Sequence, residues 1–483
     1  MNLSELHALL PLLILGVGPV LLLLAGAFIP GLDRKRLNFI GGAVALLAAV
    51  VAATYSPPVT EAGGMLGTGP YGRMAAFLAG ITALLTILLS VGYTSRRPLG
   101  DEEYPSLVLF AAFGMAVLGG ATSLLSVFLG LECLTLAMYI LLASNRGDFL
   151  SGEAGIKYLV VGAVSTAFLA FGLALVYVAT GDLSLAGSMK GLTASGAFGP
   201  IGLAGWAMLL VGIGFKVSLF PFHLWAPDVY QGGPAPVVGF LSTGSKAAVW
   251  LAFLQLALAM SGGWGALIPV LWVMAALTMV YGNLAALTTN NVKRLLAYSS
   301  IAQMGYVLMA LLAAPVVGGT AMLFYLAVYV AMDLGAFGVV AAFSTRDRDL
   351  GDIESLRGLG YVHPVRSAVF AVCMVSLAGL PPTAGFIAKF GIFQAAVKAG
   401  YVYLAVIGIA TAIVSIYYYL RVVVNLYMRS PLEKGVAATA GTLLPRLDDA
   451  NRIAFALITA AILYLGVMPG GLLDLIGGIA GGM

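Results

Sequence analysis

The chain has 483 residues, 61% of them hydrophobic and 9% charged, with a mean hydropathy of +1.03. Soluble domains carry about 25% charged residues, so this composition excludes a soluble enzyme and specifies an integral membrane protein. The net charge of +4 is spread over many loops with no block of like charge, which excludes a nucleic-acid partner.

At about 20 apolar residues per crossing of a roughly 30 Å hydrocarbon core, some 14 crossings fill the chain and leave no room for a separate catalytic domain. In chain order the apolar runs predict spans near 9–29, 37–55, 74–94, 105–121, 124–144, 154–179, 203–230, 235–260, 265–288, 293–313, 318–344, 365–399, 401–428 and 452–470. The first run lacks a basic leader segment and an A-x-A cleavage site, so it is expected to be retained as a span. Loops after odd-numbered spans hold 16 Lys and Arg residues, among them Arg348, Arg429, Lys434 and Arg446; loops after even-numbered spans hold three, Arg73, Lys190 and Lys398. Cytoplasmic loops carry the basic residues, so both termini are expected on the outer side.

Cys133 and Cys373 lie in apolar runs, His7, His223 and His363 are dispersed, and no glycine-rich nucleotide fingerprint follows a strand. That pattern indicates neither a zinc site, an iron–sulfur cluster, a haem nor a disulfide framework. Any electron carriers are expected on other chains.

The informative residues are charges placed where lipid should be. Glu132, Lys216, Lys246, Asp333 and Lys389 all fall within spans, where a charge costs about 2.5–3.5 kcal/mol on insertion scales and must face the protein interior. A buried charge can simply tie two helices together. A buried lysine, however, takes up or releases a proton when a neighbouring charge moves, which an arginine cannot do. Lysines and a glutamate strung through successive spans therefore predict a proton relay. Lys157 and Arg421 lie near span ends, where each can reach the surface.

Two of these spans are interrupted. In the seventh, Lys216 precedes Pro221, His223, Pro227 and Asp228; in the twelfth, Gly379, Pro381, Pro382 and Gly385 precede Lys389. Proline removes an amide donor and clashes with the preceding turn, so both spans are expected to break at membrane depth. The breaks are five spans apart, an odd offset that gives them opposite orientations. The expected architecture is an all-α polytopic membrane protein with about 14 transmembrane helices. Three N-terminal helices (1–103) precede two inverted five-helix repeats (104–262 and 263–430), each with a broken helix, and a loop and last helix follow (431–483).

The stretches FPFHLWAPD at 220–228 with GGPAPVVGFLSTGSKAA after it, KRLLAYSSIAQMGY at 293–306 and LAGLPPTAGFIAKF at 377–390 resemble the antiporter-like membrane subunits of respiratory complex I, the NADH:quinone oxidoreductase. Within that family the chain is most similar to the N group, since the M group typically places a glutamate where Lys389 stands. The resemblance implies proton translocation without a cofactor in this chain, with FMN, iron–sulfur clusters and quinone held by partner subunits. It implies that other antiporter-like and small membrane subunits are partners, within a bacterial inner membrane whose lipid bilayer surrounds them. By the same resemblance Glu132 and Lys216 form the pair of the fifth and seventh helices, Lys246 connects them onward and Lys389 lies near the exit. Lys157 matches a sixth-helix lysine, and His223 in the first break is a further candidate. The family often has histidine at the position of Gln303 and a neutral residue at that of Asp333. Mrp-type sodium/proton antiporters and membrane-bound hydrogenases share the same core and form the alternative.

Overall fold

The computed structural model describes residues 3–55, 61–97, 99–100, 102–193, 199–260, 264–346, 349–428 and 447–480. Arg348, Arg429, Lys434 and Arg446, part of the loop-charge asymmetry, lie outside these residues. Among the described residues, eleven helices are long and apolar enough to cross a membrane.

In chain order the helices used below are α1 (Leu10–Phe28), α2 (Arg34–Thr54), α3 (Pro70–Thr94), α4 (Glu103–Gly119), α5 (Leu124–Leu142), α6 (Phe149–Thr180), α7 (Pro200–Lys216), the short α8 (Ala226–Gly232) and α9 (Ala235–Ala259). They continue with α10 (Trp264–Thr288), α11 (Val292–Leu312), α12 (Gly319–Phe343), α13 (Pro364–Ala378), α14 (Ala384–Lys398), α15 (Val402–Tyr427), α16 (Asp449–Val467) and α17 (Gly470–Ala480). Local chemistry sets their ends. Asp148 caps α6 by accepting from the Leu150 amide, Asn291 caps α11 by accepting from the Arg294 amide, and a Ser123–Ser126 capping box opens α5. The sequence reading missed a small hairpin (Glu61–Ala62 with Leu66–Gly67), the helix Leu185–Thr193 and α17.

Burial divides the helices into a centre and a rim. α9 is wholly buried from Ala235 to Leu254, and α11 and the span ending at Phe343 are nearly so over their most apolar stretches, whereas those of α1, α6, α15 and α16 are no more than 33% buried. The hydrophobic effect does not separate helices from lipid, so close approach depends on small residues. Between α4 and α5 a Cβ on Gly114 would stand 2.4 Å from the Leu134 amide nitrogen, and one on Gly130 would stand 2.5 Å from that of Leu118. Those glycines bring the backbones together and fix the helix that carries Glu132.

Both broken spans are present, with sharper breaks than the prolines alone mark. α7 stops at Lys216 itself, residues 217–225 form turns, and α8 follows. α13 stops at Ala378 because Gly379, at φ +80°, takes the left-handed conformation that ends helices, and α14 starts after Thr383. A π-helical turn at Leu241–Ser245, immediately before Lys246, interrupts α9 and was not visible in the apolar pattern.

Candidate functional site

Lys216 is the last residue of α7 and 6% exposed. Its Nζ donates to Thr135 Oγ1 at 3.0 Å and stands 5.8 Å from the Tyr158 ring centroid. Glu132 is half-buried, one turn before Thr135 on α5, and its Oε1 accepts from Thr166 of α6 at 2.8 Å. Each member of the expected pair is thus held by a threonine, Glu132 by Thr166 and Lys216 by Thr135. Among the described residues no ion pair within 4.0 Å joins them, although their charges still interact across the gap. The open carbonyls at the end of α7 do not hold the cation either, because the Trp225 indole donates to the Phe215 oxygen at 3.0 Å.

An aromatic row leads from Lys216 to Lys246. The Tyr158 and Trp225 rings are 4.9 Å apart and those of Trp225 and Tyr230 are 6.1 Å apart; Tyr230 in turn lies 5.4 Å beneath the Lys246 ammonium. Lys246 has no exposed surface and donates to Ser300 Oγ at 2.8 Å. The Tyr329 hydroxyl is 2.8 Å from the same oxygen and 3.1 Å from Asp333 Oδ2, which also accepts from Ser242 at 2.5 Å. The buried Asp333 thus joins the Lys246 cluster. Tyr325, Tyr329 and Asp333 recur every four residues on α12, a one-face spacing that was readable from the sequence.

Gln303 comes next along α11. It accepts from the Tyr325 hydroxyl and donates to Tyr419 at 3.0 Å and weakly to the Leu377 carbonyl at 3.4 Å. Lys389 of α14, 4% exposed, donates to that same Leu377 oxygen at 2.7 Å and to Ala378 at 3.3 Å, with its Nζ 5.4 Å from the Tyr306 ring. The structure therefore brings Lys246, Asp333, Gln303 and Lys389 into adjoining polar clusters through side chains of α11 and α12. Serine and tyrosine hydroxyls, which the charge-based reading passed over, supply the links.

The remaining candidates are placed differently. Lys157 is 41% exposed and pairs with Glu153 at 2.7 Å and Asp228 at 2.8 Å; Asp228 also binds Arg294 at 2.7 Å. It belongs to a half-exposed ion cluster beside the first break. His223 is 2% exposed between the Phe220 and Tyr281 rings, and neither ring nitrogen has a hydrogen-bond partner among the described residues. Arg421 donates to the Thr289 carbonyl near the end of α15.

One cluster was absent from the sequence reading. Asp349, in the segment after α12, pairs with Arg97 at 2.8 Å and Lys293 at 2.7 Å and accepts from Tyr93 at 2.9 Å. Lys293 also donates to the Gly233 carbonyl at 2.8 Å, tying this cluster to the link between α8 and α9. Burial pushes the Asp349 carboxyl up, but the Lys293 and Arg97 charges and the hydrogen bonds from Lys293 and Tyr93 outweigh it and hold the group below its ordinary value.

Residues 121–415 match the family described as NADH:quinone oxidoreductase/Mrp antiporter, TM. The NADH-quinone oxidoreductase subunit N of Geobacter metallireducens is 48% identical over 477 residues, 98% of this chain and 99% of that protein. A chain of respiratory complex I from Thermus thermophilus superposes with a TM-score of 0.78 at 35% identity, covering 96% of this chain and 98% of that one. A chain of the Mrp complex from Dietzia sp. DQ12-45-1b, with a TM-score of 0.80, 21% identity and coverage of 99% and 97%, shares the fold alone. With 48% identity to a subunit N over nearly the full length of both chains, and the family match across the lysine-bearing core, this chain belongs to the NADH-quinone oxidoreductase subunit N family.

Proposed function

We propose that the chain is a proton-translocating membrane subunit of a bacterial NADH-quinone oxidoreductase, coupling electron transfer in partner subunits to proton movement through Glu132, Lys216, Lys246 and Lys389. The observation that carries this reading is the set of three buried lysines held by hydroxyl or carbonyl oxygens instead of touching carboxylates. Such contacts accept hydrogen bonds from an ammonium without fixing its charge, so each lysine can change protonation when a neighbouring charge moves. A lysine fixed in a direct ion pair with a carboxylate would be a structural tie instead.

In this reading the polypeptide forms about fourteen spans built on two inverted five-helix units, one around each break, with both termini on the outer face of the inner membrane. FMN, iron–sulfur clusters and quinone belong to partner subunits, and other antiporter-like and small membrane subunits cover the rim helices. The chain serves an oxidoreductase as its translocating part and holds no redox group of its own.

The test uses the assembled complex in sealed proteoliposomes carrying Lys246→Met. The reading expects NADH:quinone turnover and proton uptake to fall together, by about tenfold or more, because a methionine carries no proton and interrupts the relay. Turnover and uptake both at the wild-type rate would overturn it.

A further inference from the structure

We propose that Asp333 is the counter-charge and proton acceptor of Lys246, reached through the hydroxyls of Ser300 and Tyr329. The inference rests on the translocation reading above and adds a specific partner to its second lysine.

Asp333 has no exposed surface, and among the described residues it is the one carboxylate so fully enclosed. A buried carboxylate needs a compensating charge or donors on both oxygens. Oδ2 has Ser242 and Tyr329, whereas Oδ1 has no partner among the described residues. The nearby positive charge is Lys246, separated from Asp333 by two hydroxyls. Each contact in the series, Lys246 to Ser300 at 2.8 Å, Ser300 to Tyr329 at 2.8 Å and Tyr329 to Asp333 at 3.1 Å, is a hydrogen bond. Hydroxyl hydrogens rotate, so the Ser300–Tyr329 contact can run in either direction.

With Ser300 donating to Tyr329 and Tyr329 to Asp333, one proton can pass along the series. An N–H bond of Lys246 breaks as an O–H bond forms on Ser300; the original Ser300 proton moves to the Tyr329 oxygen; the original Tyr329 proton moves to Asp333 Oδ2. Both hydroxyls end with one proton, as they began. Lysine is left as a neutral amine and aspartate as a neutral acid, with net charge unchanged and no electrons transferred. Burial penalises the charged form and mutual attraction favours it, so the two forms are poised against each other. A change of charge at Lys216 would tip that balance through its electric field.

The arrangement also accounts for Gln303. An amide there cannot hold the proton, yet it binds Tyr325, Tyr419 and the Leu377 carbonyl shared with Lys389. The titratable group of the central region is then one step away, on the same face of α12 as Tyr325.

The experiment compares the assembled complex bearing Asp333→Asn, Tyr329→Phe, both together, and Lys246→Met. Asparagine still accepts from Ser242 and Tyr329 but takes up no proton; phenylalanine removes the intervening hydroxyl and leaves both charged groups. Each single change is expected to slow coupled turnover by about tenfold or more, and the pair to cost no more than the worse single change, because both cut one series. Redox-triggered infrared difference spectra of the wild type should contain a deuterium-sensitive carboxylic acid carbonyl band that Asp333→Asn removes. Should Asp333→Asn prevent assembly, Tyr329→Phe decides alone. Wild-type turnover in the Asp333 and Tyr329 variants with slowed Lys246→Met overturns this inference and spares the translocation reading. Wild-type turnover in all of them overturns both. Persistence of the carbonyl band in Asp333→Asn also overturns the inference.

Discussion

Lys389 donates to the Leu377 carbonyl at 2.7 Å, so a cation on one half of the broken span closes the open C-terminal end of the other. The terminal carbonyls of a helix lack intrahelical donors and carry partial negative charge, which makes that end a natural seat for an ammonium. The first break is built differently, with the Trp225 indole on the Phe215 carbonyl and Lys216 turned to Thr135. The two lysines therefore sit in different fields, one fixed to a helix end and one poised between α5 and α7.

That difference sets the outcome of Lys389→Arg. A guanidinium can still donate to Leu377 and Ala378, so the complex should assemble. It does not release its proton, so coupled turnover should fall by about tenfold or more. Normal pumping by assembled Lys389→Arg would show that a fixed positive charge suffices at this position.

The Asp349 cluster predicts a pH-dependent stability. Its carboxyl is held below the ordinary value, so the stabilisation is fully present above about pH 4, the usual carboxylate range, and is lost as pH falls through the lower folded value. Asp349→Asn leaves Lys293 and Arg97 without their anion and should cost about 3–5 kcal/mol at neutral pH. In thermal unfolding of the detergent-purified complex, the gap between wild type and variant should be full at pH 7 and shrink in the acid range. A gap that stays constant with pH would assign the stabilisation to packing.

Lys157 offers a contrast among the intramembrane lysines. Its side chain is 41% exposed and its ammonium lies between Glu153 and Asp228, in a setting where solvent screens ion pairs. Lys157→Met should cause the smallest loss of turnover among methionine replacements of Lys157, Lys216, Lys246 and Lys389, as measured by NADH:quinone activity of assembled complex. A loss as large as that of Lys246→Met would place Lys157 on the proton path.

Much of this site was legible because single-residue chemistry forces it. Lysine and aspartate in apolar runs must be enclosed, and the prolines and Gly379 mark breaks wherever they fall. The links between those charges were not legible. Tyr329 shares a helix face with Asp333 by its spacing, but Thr135, Thr166 and Ser300 are unremarkable in apolar helices, and only packing shows that they stand between the charges. Asp349, 256 residues from its partner Tyr93, reads as an ordinary loop acid until the chain folds. Arg97, Lys293 and Arg366 count as loop cations in the sequence, yet all are at least nine-tenths buried. The π-helical turn before Lys246 leaves no mark on apolar periodicity, since α9 is enclosed on every side and its sequence shows no one-sided apolar stripe.

The account stands most directly on the coupling of Glu132 and Lys216, which interact without touching. Glu132→Gln retains the hydrogen bond from Thr166 and removes the charge; Lys216→Met removes the cation and keeps the bulk. The decisive measurement is the logarithm of coupled turnover in the assembled complex for the two single variants and the double variant. If the pair acts as one switch, each single change slows turnover and the double change costs little more than the worse of them. If the double variant loses activity as the sum of two independent effects, Glu132 does not control Lys216 and the relay does not begin with this pair.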